Sequence, residues 1–97
     1  MTRIVRSPQF AADLESIWLA IATKSPNSAD RVVIAIDRTV GYLRDFSKIG
    51  TSCDHLAPGL RRLLWREYLI FYRVKADHIE LVRVLHGRRD IKSEDFE

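Results

Sequence analysis

The sequence predicts an α+β fold of order β-α-α-β-β-β, in which a helical hairpin packs on one face of a small antiparallel sheet. Two stretches of helical apolar period, a change of period after Gly50, and three later runs of β-branched, aromatic and aliphatic residues carry that expectation. With 97 residues there is length for one hydrophobic core and one domain, residues 1–97.

Ile4-Val5 form a short β-prone segment. Ser7-Pro8 then supplies an N-cap followed by proline at the first helical position, where its missing N–H costs nothing. Phe10, Leu14, Ile17 and Ile21 follow at steps of four, three and four, with Ala11, Trp18 and Ala22 widening the stripe, so a helix is expected from about Pro8 to Thr23. Lys24-Ser25-Pro26-Asn27 breaks it, because proline disfavours helical geometry in the residue before it. Asn27 or Ser28 is the expected cap of a second helix, whose apolar stripe runs Ala29, Val33, Ile36, Val40 and Leu43 and whose end falls near Ser47. So short a connection makes the pair an antiparallel hairpin.

A loop from Gly50 to Gly59 leads to three expected strands, Leu60 to Leu64, Tyr68 to Val74 and Ile79 to Leu85, joined by turns at Trp65-Arg66-Glu67 and Lys75 to His78. Strict alternation puts Ile70, Tyr72 and Val74 on one side and Phe71 and Arg73 on the other. In the last strand it sets Val82 and Val84 against Leu81, Arg83 and Leu85. The side without arginine is expected to face the helices. The other is expected to stay partly open, a concave face lined by basic and apolar groups.

Composition narrows the class. The chain is 46% hydrophobic and 30% charged, a globular balance, and no apolar run approaches the ~20 residues of a membrane-spanning helix, so a soluble chain with no membrane partner is expected. Met1-Thr2-Arg3-Ile4-Val5-Arg6 has no apolar segment or cleavage site for secretion, and Cys53 is alone, which together point to a reducing cytoplasm. Cys53 reads as an incidental residue of a polar loop. No Cys/His/Asp cluster has ligand spacing, so neither metal nor cofactor is expected. The net charge is +3 and unevenly spread: residues 60–92 hold nine Lys/Arg against four Asp/Glu, and Glu94, Asp95 and Glu97 follow. Such a basic region favours an acidic partner, nucleic acid or protein.

Several pieces stand in a characteristic order: Asp13-Leu14 with Ile17, Ala29 with Arg31, Gly50, Leu56-x-Pro58-Gly59-Leu60-Arg61, Tyr68 to Val74, and Arg83-Val84-Leu85-His86-Gly87-x-Arg89-Asp90. Over nearly the whole chain this series is similar to the ParE branch of the RelE/ParE toxins. The resemblance implies the same β-α-α-β-β-β fold and a cognate antitoxin whose disordered acidic segment folds over the helical hairpin and a sheet edge. DNA would be contacted only indirectly, through the toxin–antitoxin complex. It also implies one of two targets: DNA gyrase, inhibited by binding, or the ribosome, where RelE-type members cut mRNA. A third reading is a domain that has lost toxicity and persists as an interaction partner.

The C-terminal third separates the targets. RNA cleavage by 2′-hydroxyl attack needs a base, cations for the phosphorane and an acid. RelE-like enzymes place basic residues and a tyrosine near the end, whereas here the aromatic is Phe96, which transfers no proton, among acids that repel RNA. The binding reading assigns target contact to Arg61, Arg62, Arg66, Arg73, Arg83, His86, Arg88 and Arg89, with no catalytic residue. The nuclease reading instead gives proton transfer to His86, with Arg83, Arg88 or Arg89 stabilising phosphate. His86 also has a structural reading, a local hydrogen bond such as one to Asp90, and Arg83 could pair with the same carboxylate. Trp65, Phe71 and Tyr72 are either sheet packing or base platforms. Trp18 is core edge or antitoxin surface. Arg3, Arg6, Arg38, Arg44, His55 and His78 read as solvated surface.

Overall fold

The computed structural model describes residues 2–97. Strand β1 (Arg3–Arg6) leads into helices α1 (Pro8–Ala22) and α2 (Pro26–Gly41), followed by strands β2 (Thr51–Ser52), β3 (Leu60–Trp65), β4 (Tyr68–Val74) and β5 (His78–His86). The α+β class and the order of the main elements stand as expected, with β2 as a two-residue addition. The sheet is mixed rather than antiparallel throughout: its order is β1-β5-β4-β3-β2, and β1 runs parallel to β5. Parallel neighbours need a long crossover, and everything between β1 and β5 supplies it.

Ser7 caps α1, its hydroxyl accepting from the Phe10 N–H at 3.0 Å ahead of Pro8. For α2 the cap is Ser25, accepting from the Ser28 N–H, with Pro26 at the first helical position, so neither Asn27 nor Ser28 fills that role. The second hydroxyl-proline pair thus repeats the first. α2 also ends earlier than Ser47: past Gly41 the chain tightens into a 3-10 turn over Tyr42–Arg44, which still buries Leu43.

Between the helices and the sheet lie Phe10, Leu14, Ile36, Val40 and Leu43, packed on Tyr68, Ile70, Tyr72, Ile79, Leu81 and Val84. A second cluster, Cys53, Ala57, Leu60, Phe71, Val82, Leu85 and Phe96, occupies the opposite face. Simple alternation along β5 therefore fails. The register jumps so that Phe71 faces Arg83 while Tyr72 faces Leu81, leaving Val82 without an opposite residue. That bulge reverses the faces: Leu81 joins the helix side and Val82 the other. The expected open concave face is in fact covered by the loop around Cys53 and by the C-terminal tail. Cys53 is accordingly a core residue, 1% exposed, and burial pushes its thiol pKa up, away from nucleophilic use.

One buried polar group ties the loop to the core. The fully buried Tyr72 hydroxyl accepts from the Gly50 N–H at 2.9 Å, and burial raises its pKa. Gly50 sits so close that a Cβ there would lie 2.6 Å from that hydroxyl and 2.7 Å from the Arg62 carbonyl oxygen, so only glycine fits. Tyr72→Phe leaves a buried N–H without a partner, and urea unfolding should show a loss of about 1–2 kcal/mol. A loss near zero would mean that water replaces the hydroxyl.

Candidate functional site

Beyond Leu81 the outer edge of β5 has no strand beside it, and α1 closes that edge with side chains. The Ser7 hydroxyl donates to the Val82 carbonyl at 2.8 Å, and the Asp13 carboxylate accepts from the Val84 N–H at 3.2 Å. The same carboxylate receives two parallel bonds from Arg83, Nε and Nη2 each at 2.7 Å, with both side chains almost buried at 13% and 12% exposure. Bidentate pairing of this kind is strong and directional. It raises the Arg83 pKa further. The partner is thus Asp13, 70 residues away, and not Asp90, which instead approaches Lys92.

Arg83 also donates to the Asp95 carbonyl at 3.1 Å, and Arg89 pairs with the Asp95 carboxylate at 2.7 Å. The Lys92 N–H bond, then Arg89 and Arg83, hold the Asp95 carboxyl below the usual carboxylate range. These contacts clamp a 3-10 turn, Ser93–Phe96, that seats Phe96 4.7 Å from Phe71. The aromatic that lacks a hydroxyl for proton transfer is a core plug.

The remaining arginines divide by what they touch. Arg61 donates to the carbonyls of Lys48 and Gly50, and Arg73 to the Pro58 carbonyl while approaching Glu80 at 3.6 Å. Arg62, Arg66 and Arg88 are exposed and belong to none of the ion pairs among the described residues. Of the eight residues expected to contact a target, Arg61, Arg73, Arg83 and Arg89 are engaged within the fold, and these three stay unpaired.

His86 hydrogen-bonds locally, but to the Arg88 N–H, which its Nδ1 accepts at 3.1 Å. Its ring meets Tyr68 edge-on at 5.5 Å; Tyr68 stacks on Trp65 at 6.3 Å, and the Arg66 guanidinium lies 5.0 Å from the Trp65 ring centre. The Gly87 N–H donates to the Glu67 carbonyl at 2.7 Å, pinning the β3–β4 turn to the end of β5. Trp65, Arg66, Tyr68, His86 and Arg88 therefore share one end of the sheet. Sequence reasoning placed Trp65 with the arginines but did not include Arg31 of α2, which borders the same end through a depression shared with Trp65 and Arg66. Its place on an exposed helix face gave no sign of this.

On the outer side of the hairpin, Trp18 donates to Asp30 at 2.8 Å and lines a shallow groove with Arg6, Ala11, Leu14, Glu15 and Val33. Arg6 pairs with Asp37 and Arg3 with Asp77, while His78 bonds Asp77 and His55 is exposed. Among the described residues no helix is long and apolar enough to cross a membrane.

A helical hairpin on a five-stranded mixed sheet, with a tail folded over the opposite face, together with the family model that matches the chain, places it among the toxins of the RelE/ParE superfamily. The family model described as "ParE toxin of type II toxin-antitoxin system, parDE" matches residues 4–91. The chain belongs to the ParE toxin family of type II toxin-antitoxin systems. It is 32% identical over 92 residues to Toxin ParE1 of Mycobacterium tuberculosis, covering 93% of this chain and 94% of that one. With Toxin ParE3 of Caulobacter vibrioides it shares 24% identity over 98 residues, 97% and 95% of the two chains. A solved structure titled "Chromosomal ParDE TA system from P. aeruginosa" superposes with a TM-score of 0.77 at 27% identity, covering 89% of this chain and 96% of its own.

Proposed function

We propose that this toxin arrests growth in the cytoplasm by binding DNA gyrase and disturbing its cleavage and rejoining of DNA, and that a cognate antitoxin neutralises it. The observation that carries the binding mode is the engagement of Arg83 and Arg89. Under the nuclease alternative Arg83, Arg88 or Arg89 would stabilise a phosphorane, yet Asp13 and Asp95 already neutralise two of the three and leave only the exposed Arg88 without a carboxylate among the described residues. His86 accepts a backbone N–H through one ring nitrogen, which gives it an anchoring part at the sheet end. Membership in the ParE family and likeness to a ParDE system support the target and the antitoxin alike. The hairpin groove beside Trp18, apolar and edged by Arg6 and Glu15, suits an amphipathic antitoxin segment.

The test is a supercoiling assay with purified gyrase and purified toxin. Loss of supercoiling with accumulation of broken DNA is expected, and added antitoxin should restore it. Untouched supercoiling, together with early loss of translation and cut mRNA in cells, would transfer the chain to the ribosome-directed alternative.

A further inference from the structure

The β3–β4 hairpin turns on two residues, Arg66 and Glu67, with Trp65 and Tyr68 paired across its base. Arg66 has φ of 52°, the one non-glycine residue with positive φ among the described residues. Two-residue hairpins with a left-handed first position favour glycine, then asparagine, because a Cβ is strained there. A long arginine in that place is a local cost to stability, and such strained positions cluster where function holds them. The side chain is also directed. Its guanidinium rests against Trp65, Trp65 against Tyr68, and Tyr68 against His86.

Between this turn and α2 lies a depression of about 250 Å³ lined by Ser28, Arg31, Val32, Ala35, Trp65 and Arg66. Neither Arg31 nor Arg66 belongs to an ion pair among the described residues. Two unneutralised guanidiniums thus border a small site of mixed lining, in which Val32, Ala35 and Trp65 supply the apolar part and Ser28 a hydroxyl. Guanidinium binds carboxylate and phosphate bidentately, while Val32, Ala35 and the indole suit methylenes. A nucleotide is the weaker fit, because Arg66 already lies over the indole face on which a base would stack.

We infer that this depression anchors an acidic segment of the toxin's protein target, one Asp or Glu carboxylate held between Arg31 and Arg66 with its stem against Trp65. The inference rests on the reading of the chain as a binding inhibitor of a protein. Trp and Arg together in one pocket are the residues most often found to dominate an interface.

Arg66→Gly separates function from folding, because glycine relieves the backbone while deleting the cation; Arg66→Asn does the same with a side chain that tolerates the turn. The melting temperature should stay level or rise, while growth arrest on expression and potency against purified gyrase fall tenfold or more. Arg31→Gln should weaken potency in the same direction. Arg66→Lys, which keeps charge without the planar fork, should fall between. Full potency in Arg66→Gly overturns the inference, as does a loss that appears only with a lowered melting temperature. Retained arrest with weakened antitoxin affinity would give the depression to the antitoxin and also overturn it, as would an RNA oligonucleotide whose binding depends on Arg66. If wild-type toxin spares gyrase but Arg66→Gly still abolishes growth arrest, the gyrase assignment fails and the anchor stands for another protein.

Discussion

Arg83→Met should cost about 3 kcal/mol of folding free energy, the lower end of what removing one partner of a buried ion pair costs. For a chain of this length that corresponds to a fall in melting temperature of roughly 15 °C. The variant leaves the Asp13 carboxylate almost buried without its cation, since among the described residues the Val84 N–H is its one other partner. It also releases the Asp95 carbonyl and so loosens the tail. Adding Asp13→Asn to Arg83→Met should recover part of the loss, because the amide oxygen still accepts from Val84 and no charge is stranded. Urea unfolding of the two single variants and the double variant measures this directly. A single-variant cost below about 1 kcal/mol would put the pair among ordinary surface bridges and remove the account of the β5 edge.

Phe96→Ala should cost nearly as much, about 3 kcal/mol, by opening a cavity beside Phe71. The chain end can relax into part of that space, which keeps the figure at the lower end for a buried phenylalanine. Without the ring to seat it, the Ser93–Phe96 turn should also lose its hold on Arg83 and Arg89. Amide exchange then discriminates: protection should fall first at the tail and around Cys53, which share the second cluster with Phe96, and later in the helix-facing core. Uniform loss across both clusters would mean that the tail is no separate cooperative unit.

The two clusters bear on function as well. A face expected to stay partly open, lined by basic and apolar groups, is instead half of the core, so the arginines that remain available lie at the sheet end and rim. Arg62, Arg66 and Arg88 are exposed there, and Arg31 joins them from α2. Charge counting singles out the basic third as a region. Which arginines within it are free depends on groups the count does not see: Asp13 and Asp95 take Arg83 and Arg89, loop carbonyls take Arg61, and the Pro58 carbonyl with Glu80 takes Arg73.

By itself the sequence determined the elements that have a period. Steps of three and four fix the buried stripes from Phe10 through Leu43, Ser7-Pro8 starts the first helix, and β-branched and aromatic runs mark β3, β4 and β5, whereas the Ser25 cap of α2 lies two or three residues ahead of the expected position. Those signals are local, because propensity, capping and amphipathicity act within a few residues of chain. Its ordered motifs also carried the family. Only the tertiary structure decided the parallel pairing of β1 with β5, the bulge at Val82 that exchanges the faces of β5, the partnership of Arg83 with Asp13, and the use of Phe96 as a plug. Each depends on which groups meet across the folded chain. A bulge shifts alternation by one residue without altering composition, and a carboxylate 70 positions away leaves no periodic trace beside the arginine it neutralises.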